Sequence, residues 1–558
     1  MFRKSKNLIL AAALLAGTSL GAMAGTLTAV KNAPLDNVIY GFVLTDGSLF
    51  FQGGFLQDFY RFMPDNKGSY VNGNLFPAAS LPPNYIPYAT SGGVLPDGRV
   101  LLIGGEYLLG SNNTLNFAFT NKMAIYDPKA DKWTMVAPPF GPDWDFIGDS
   151  PWTLLANGHL LLGEKFTKAM AEFDPTTLTW THVSSHAKDD VFAEEGLTLL
   201  PDGSVLTVNM TDFPLSQRYV IPNFSWFDAG PTPARLPATD SNSAQNIIYD
   251  NGMRVYHPPG EIGPAILRPD GTVFYTGAAC DVSGTDPTSC VTYQPQAHTA
   301  IYDTKTGKWK AGPDIPTHEG SGDTWASLLP NGHVFMQTNP PGTNADRLAR
   351  ANARYASIRN GTMHPLAAEG LAPTAAPPQS TCQPPLPFIK AYEFDGTNLT
   401  RVPVADFCGQ PSLLLLPTGN VMMNLQAVYF PSDTKFENAW RPTITQLTFS
   451  DNLNPGGNYQ IFGTQFNGLS QANAFGDEFQ VATNYPLVRI TNTSTGHATY
   501  ATTHDFSSMG VATGARIVSA KFDVPKSIER GNSTLEVVAN GIPSQPWYIT
   551  VGAAEASR

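Results

Sequence analysis

Apolar and polar residues alternate along this chain in short blocks. The most regular block is an apolar run, a two-residue polar-Gly step and a second apolar run, such as Val100 to Ile103 after one step and Leu413 to Leu416 before another. Asp-Gly and Asn-Gly tolerate the positive φ angles of a tight turn, so each block predicts a β-hairpin of two buried strands. Seven such turns are present: Asp46-Gly47, Asp97-Gly98, Asn157-Gly158, Asp202-Gly203, Asp270-Gly271, Asn331-Gly332 and Thr418-Gly419.

A second repeated element follows several of these turns. It is an aromatic residue and Asp, then Trp a few residues later: Tyr126-Asp127 with Trp133, Phe173-Asp174 with Trp180, and Tyr302-Asp303 with Trp309. Two hairpins per unit make a four-stranded sheet, and a period of about 50 residues is typical of kelch-type propeller blades. The sequence therefore predicts an all-β fold with a seven-bladed kelch-type β-propeller over residues 25–440. The segment before the first blade is expected to supply the strand that closes the ring. A β-sandwich with incidental turns would not explain the repeated Trp element.

The turns stop after residue 440, and a different β-pattern follows. Its strand-like segments include Leu487 to Ile490, Val518 to Val524 and Trp547 to Val551. Short alternating strands over about 110 residues are typical of an immunoglobulin-like sandwich. We predict such a domain over residues 441–558.

The first 24 residues have the pattern of a secretory signal peptide. Basic residues precede an apolar run from Leu8 to Leu15, and small residues end at Ala24, after which cleavage is expected. The protein is therefore predicted to be secreted or periplasmic. The rest of the chain has no apolar run long enough for a membrane span. The net charge of -12 argues against nucleic acid as a partner, because nucleic-acid sites need a basic surface.

Export makes the four cysteines interpretable as disulfides. Three pairings are possible. We favour Cys280 with Cys290 and Cys382 with Cys408, because each pair closes a local loop.

Candidate functional residues can be located from their position along the axis of the propeller channel. Counting back nine residues from each turn glycine climbs about 25 to 30 Å along an inner strand, to the end of the channel opposite the turns. The residues reached are Val38, Ala89, Asp149, Glu194, Ile262, Asp323 and Gln410. Further polar residues lie beside them: Glu195, Glu261, His318 and Glu319. This end of the channel, called the mouth below, is therefore predicted to be acidic and partly desolvated.

The turns and the C-terminal part of the chain together resemble the galactose-oxidase-like kelch proteins that end in an early-set domain. The more specific motifs are those of the C-terminal part: Pro486-Leu487-Val488-Arg489, Thr503-His504-Asp505, Phe522-Asp523-Val524-Pro525 and Asn540-Gly541-Ile542-Pro543-Ser544. The resemblance covers nearly all of the chain after the signal peptide.

The resemblance implies a test for copper. Oxidases of that family bind copper through two tyrosines and two histidines, and one tyrosine is cross-linked to a cysteine. At the matching positions this chain has Ala89 for the cysteine, Asp149 for the cross-linked tyrosine, and Gly409-Gln410 for a Tyr-His pair. His504 is the one ligand that the match retains. Copper is therefore not expected, and a copper-radical alcohol or aldehyde oxidase would need a rearranged site.

Three interpretations of the mouth remain. Asp149, Glu194 and Asp323, with His504, could hold a hard cation such as calcium. The same three carboxylates could be catalytic, as acid and base or nucleophile of a non-oxidative hydrolase or lyase acting on a polysaccharide. We favour the third interpretation, in which the mouth binds carbohydrate or another polyhydroxylated ligand; Gln410, His504 and the neighbouring acids make hydrogen bonds, and Trp152 and Trp325 stack on sugar rings. Two further alternatives give the mouth no ligand. In one, the acids form ion pairs within the fold; in the other, the protein is an adhesion module whose mouth is inert.

Overall fold

The computed structural model describes residues 25–552 except for seventeen segments. These are 35–37, 55, 110–114, 118, 146, 184–187, 211–212, 222–223, 240–246, 251–252, 257–259, 280–295, 318, 340–387, 409–410, 450 and 477–483. Residues 1–24 and the cysteines Cys280, Cys290 and Cys382 lie outside the described residues, and Cys408 is described only as part of a strand. The signal peptide and both disulfides therefore stay predictions.

Each of the seven predicted turns joins the first two strands of a blade. Six blades are four-stranded sheets, and the four strands of blade six belong to a six-stranded sheet, which confirms the all-β, seven-bladed kelch-type propeller. The turn glycines have φ between 73° and 88°, and their N–H groups donate to the carbonyl three residues earlier. Such φ values favour glycine, which explains why the fourth residue of the turn is Gly in every blade.

The strands of blades one to seven run in the same order from the channel outward. The inner strands are Val38–Val43, Ser91–Val94, Trp152–Leu154, Thr198–Leu199, Ala265–Leu267, Ala326–Leu328 and Leu413–Leu415. The second strands are Leu49–Gly53, Val100–Ile103, Leu160–Gly163, Val205–Val208, Thr272–Thr276, Val334–Thr338 and Val421–Met423. The third strands are Phe59–Met63, Met123–Asp127, Met170–Asp174, Ser216–Val220, Thr299–Asp303, Phe388–Phe394 and Ala427–Phe430. The outer strands of blades one to six are Asn74–Ala78, Lys132–Val136, Thr179–Val183, Ser225–Asp228, Lys308–Ala311 and Leu399–Arg401.

The outer strand of blade seven comes from the beginning of the described chain. Thr26–Ala29 pairs antiparallel with Ala427–Phe430, so the two ends of the propeller share one sheet. This confirms the expectation that the segment before blade one closes the ring, an arrangement that protects the edge of the last blade.

A few short elements lie outside the blades. The additional strands are Pro87–Tyr88, Tyr107–Leu109, Leu115–Phe117, Ala238–Thr239, Ile247–Asp250, Met253–Tyr256, Gly260–Glu261 and Phe407–Cys408. The short 3-10 helices are Pro142–Trp144, Pro403–Ala405 and Asn438–Trp440. Within the described ranges, no helix has the length and apolarity that crossing a bilayer requires.

The C-terminal strands enclose their own hydrophobic core, in agreement with the predicted β-sandwich. Buried members of this core include Ile461, Val488, Phe522, Leu535 and Ile549. The strands are Thr443–Leu447, Asn452–Leu453, Asn458–Thr464, Leu487–Asn492, Ala498–His504, Val518–Asp523, Gly531–Ala539, Ile542–Pro543 and Trp547–Val551. The exact boundary at residue 440 stays a prediction.

One segment of the C-terminal domain enters the propeller channel. After Asn458–Thr464 the chain reaches the strand Asn473–Ala474, which pairs with the inner strand of blade six. The Asn473 amide also donates to the carbonyl of Leu413 at 2.9 Å, and its oxygen accepts from the N–H of Leu415 at 3.3 Å in blade seven. The segment thus joins neighbouring inner strands and fixes how the two domains pack.

Candidate functional site

The mouth residues that the structure describes lie at the end of the inner strands that the counting predicted. Asp149 and Asp323 each lie three residues before an inner strand and nine before a turn glycine at the opposite end. Ala89, Asp149, Ala193 and Asp323 share a left-handed backbone, with φ of 53°, 46°, 53° and 50°. Non-glycine residues adopt this conformation at a cost, and such strain concentrates at functional sites. This repeated kink changes the direction of the chain where each connecting segment meets the inner strand that follows it.

A buried lysine brings three carboxylates of the mouth together. The ammonium of Lys165 lies 2.5 Å from Glu194 Oε1, 3.2 Å from Asp149 Oδ2 and 3.6 Å from Glu106 Oε1. Lys165 is fully buried, whereas the side chains of Asp149 and Glu106 are 12% and 11% exposed. We call these four residues the Lys165 cluster. It lies between blades two, three and four, and its carboxylates retain a narrow exposed face.

The backbone explains how these four side chains meet. Lys165 follows the second strand of blade three, and its carbonyl accepts a hydrogen bond from the N–H of Ala193 at 2.7 Å, which places Glu194 beside it. Glu106 follows the second strand of blade two, after Gly104 and Gly105. A Cβ at Gly104 would lie 1.7 Å from the carbonyl oxygen of Ile147, so only glycine permits this approach.

The cluster has three acids for one base, and its pKa shifts reflect that imbalance. Burial raises the pKa of Glu106 well above its ordinary value, and the charge of Asp149 raises it further. Burial alone would lower the pKa of Lys165, but attraction to Glu194, Asp149 and Glu106 raises it well above 10.5. Lys165 therefore stays an ammonium, while Glu106 is suited to hold a proton and to share it with Asp149. Such a group can donate a hydrogen bond or a proton to a ligand.

Aromatic rings flank the same ammonium. The rings of Phe119 and Phe166 each have their centroid 5.7 Å from Lys165 Nζ, and they meet edge to face at 5.2 Å. Both side chains are half-buried. Tyr107 is close enough for the charges of Glu106 and Asp149 to reinforce the effect of burial, which raises the pKa of its phenol far above 10. Apolar ring faces and carboxylates thus meet at one place.

Asp323, the third predicted catalytic acid, lies on the opposite side of the ring, in blade six. It is half-buried, and its charge contributes to the raised pKa of Glu106. The structure therefore places Asp149 and Glu194 in direct contact with Lys165 and Asp323 farther away around the same mouth.

Two other predicted acids are paired inside their own blades. Glu195 lies 2.7 Å from the buried ammonium of Lys188, which also contacts Asp190 at 2.5 Å. Glu319 pairs with Lys390 and accepts a hydrogen bond from the Tyr392 hydroxyl at 2.9 Å. These two acids therefore form ion pairs within the fold, which is one of the alternatives stated above.

The two predicted stacking tryptophans need correction. Trp152 and Trp325 are 0% and 2% exposed, so neither presents a ring face to a sugar. Trp152 fills the space beside Gly93, where a Cβ would lie 2.1 Å from the indole, and Trp325 packs against Phe475 at 5.2 Å. Trp152 and Trp325 lie three and two residues farther along the chain than Asp149 and Asp323, and both rings belong to the core.

His504 also needs correction, because it lies at the opposite end of the propeller. The neighbouring Thr503 donates its N–H to the carbonyl of Thr45, in the turn of blade one, at 3.0 Å. His504 faces a cleft of about 210 Å³ between these turns and the C-terminal domain, 3.3 Å from Asp505 and 3.2 Å from the amide of Asn458. It therefore cannot act with Asp149 or Glu194. The remaining predicted residues, His318, Gln410 and the side chain of Glu261, lie outside the described residues.

The cluster fits neither metal considered from the sequence. The oxygens of Glu106, Asp149 and Glu194 lie within 4.8 Å of one another, a spacing that could hold a cation. The ammonium of Lys165 already lies against these oxygens, however, so calcium would have to compete with it. Copper(II) prefers imidazole and phenolate ligands, and the groups gathered here are carboxylates and an ammonium.

Glu106, Lys165, Phe119 and Phe166 are site residues that the sequence analysis missed. Glu106 and Lys165 lie eight and seven residues after the turn glycines Gly98 and Gly158. Counting forward along each second strand would have reached the mouth in the same way as counting back along the inner strands.

Glu164, next to the cluster, predicts a pH dependence of stability. Burial raises its pKa from 4.5 to about 7. Because the folded state keeps this proton longer than the unfolded state, stability should fall as the pH rises from about 4.5 to 7. Glu164→Gln removes this titration. Above pH 7 the free energy of unfolding of the variant should therefore exceed that of the wild type by up to about 3 kcal/mol. Urea unfolding at pH 4.5 and pH 8 measures this difference. Parallel pH profiles for wild type and variant would contradict it, and Glu437→Gln, at an exposed acid, is the control.

Comparisons with known proteins give structural likenesses at low identity. No family model matches the chain, and no curated protein matches its sequence. Among solved structures, the chain is similar to a fungal alcohol oxidase of the AA5 family in complex with copper, with a TM-score of 0.41 and 13% identity over 95% of this chain and 99% of that one. It is also similar to virginiamycin B lyase from Staphylococcus aureus, with a TM-score of 0.33 and 11% identity over 57% of this chain and 85% of that one. The fold assignment therefore rests on the sheet topology described above.

Proposed function

We propose that this protein, after export, binds a carbohydrate or another polyhydroxylated ligand at the propeller mouth. The Lys165 cluster carries the proposal. Ligand hydroxyls would donate to Asp149 and Glu194 and accept from Glu106, which the raised pKa keeps able to donate. Each carboxylate can accept about four hydrogen bonds, whereas one ammonium supplies three protons in all, so the cluster has acceptor capacity beyond Lys165.

The half-buried rings of Phe119 and Phe166 support a sugar rather than a small ion. A pyranose has hydroxyl edges and apolar C–H faces, and binding sites for such ligands combine a few placed polar groups with aromatic walls. The two phenylalanines flank the ammonium to which the carboxylates bind. They take the place that the sequence analysis gave to Trp152 and Trp325.

The proposal is tested by glycan-array binding of the exported protein, with affinities then measured by calorimetry. Asp149→Asn and Glu194→Gln should each weaken binding at least tenfold, because a hydrogen bond to a charged group contributes about 1.5 to 3 kcal/mol. Glu437→Gln, at an exposed acid, is the matched control and should bind as the wild type does. Melting temperatures of all variants separate lost binding from lost folding.

Two outcomes would change the assignment. Absence of binding to any glycan, with or without calcium, would reject it. Shorter products released from a bound glycan would instead assign the same carboxylates to hydrolysis or elimination. We also propose that the protein acts without copper-radical chemistry, and bound copper together with hydrogen peroxide release from alcohols or aldehydes would refute this part.

A further inference from the structure

We propose that the ligand is an oligosaccharide or polysaccharide whose chain extends from the mouth to a second stacking site formed by Phe140 and His182. This inference rests on the proposed function and specifies its ligand class: several linked sugar rings rather than a single sugar.

Phe140 presents an exposed ring that packs against a second aromatic ring. Its side chain is 69% exposed, more than any other phenylalanine among the described residues. The centroid of the His182 imidazole lies 4.1 Å from that of Phe140. Trp144, which is 1% exposed, packs edge-on against the same imidazole at 6.2 Å and 87°. A buried tryptophan thus supports an outer aromatic pair that is open to solvent.

The position of Phe140 connects it to the mouth. Residues 137–151 link the outer strand of blade two to the inner strand of blade three, and Asp149 lies near the end of this link. On the way, Ile147 donates to the carbonyl of Thr120 at 3.1 Å and accepts from the N–H of Gly105 at 2.6 Å. Those two partners adjoin Phe119 and Glu106. Phe140 and the Lys165 cluster therefore lie at the same end of the propeller. Phe140 is nine residues from Asp149, so the two are at most about 30 Å apart.

This separation decides between a single sugar and a chain. His182 lies in the outer strand of blade three, three strand spacings or about 14 Å from the inner strand that follows Asp149. A monosaccharide that contacts Asp149 therefore cannot also cover Phe140, which lies against His182. A linear glycan can place one ring against the carboxylates and another on the exposed phenylalanine. Aromatic faces favour such contacts because they bury apolar area without ordering a flexible side chain.

The test uses arrays of linear β-glucan, chitin, mannan, galactan and xylan oligosaccharides of one to six rings, with Phe140→Ala and His182→Ala. The wild type should bind at least one series with an affinity that rises with chain length. Each variant should lose about tenfold for the longest members and nothing for the monosaccharide. The matched control is Phe224→Ala, because Phe224 is 52% exposed and lies in a turn of blade four between its third and outer strands.

The outcomes separate this inference from the proposed function. Binding that does not depend on chain length, or variants that match the wild type at every length, would overturn the second stacking site and leave the mouth assignment intact. Equal losses for the monosaccharide and the hexasaccharide would also overturn it. Absence of binding in every series would overturn this inference, and absence of binding to any glycan would overturn both proposals.

Discussion

Replacing Lys165 by methionine is expected to lower the free energy of unfolding by about 3 to 5 kcal/mol. The ammonium is fully buried against Glu106, Asp149 and Glu194, and removing it leaves the negative charge of these acids without a counter-charge in a poorly hydrated site. The deficit should shrink as the pH falls, because protonated carboxyl groups no longer need the cation. Urea unfolding of the full chain at pH 4.5 and pH 7.5 measures both effects.

An exposed ion pair provides the control for this prediction. Lys129 pairs with Asp523 at 2.7 Å, and their side chains are 61% and 37% exposed. Lys129→Met should therefore cost no more than about 1 kcal/mol at either pH. Equal losses for Lys165→Met and Lys129→Met, or a Lys165→Met deficit that does not change with pH, would contradict the electrostatic account of the cluster.

Asn473→Leu is the second change with a large expected effect. The Asn473 side chain makes three buried hydrogen bonds in the channel: to the carbonyl of Leu413 at 2.9 Å, from the N–H of Leu415 at 3.3 Å and from the Ser327 hydroxyl at 3.1 Å. Leucine has a similar shape but leaves these groups unpaired, at about 1 to 3 kcal/mol for each buried polar group. The free energy of unfolding, measured with urea, is expected to fall by about 3 kcal/mol.

The matched control for Asn473 is an exposed asparagine. Asn66 contacts His497 at 3.1 Å on the surface between the two domains, so Asn66→Leu should cost less than about 1 kcal/mol. Similar costs for the two variants would show that the channel segment does not hold the inner strands together.

The propeller itself could be predicted from sequence because each blade is specified by a short, local sequence pattern. Each blade repeats a turn whose glycine needs a positive φ, and the strands on both sides are short apolar runs. Height along the channel could be predicted as well, since strands rise by a constant amount per residue. This is why counting from the glycines placed Asp149 and Glu194 at the correct end.

Contacts between blades and between domains could not be predicted in this way. Nothing in the sequence shows that Gly93 lies opposite Trp152, so the burial of that indole was not foreseen. The position of His504 depends on which end of the propeller the C-terminal domain covers, and the motif around it does not contain that information. Lys165 was overlooked because an isolated lysine in sequence gives no sign that three acids converge on it.

The most direct test of the central claim is a crystal structure of the protein with an oligosaccharide chosen from the array. The account predicts sugar hydroxyls within about 3 Å of the carboxylate of Asp149 or Glu194, with Lys165 still in contact with both. An oligosaccharide bound elsewhere, with the mouth carboxylates touching only protein groups, would contradict it.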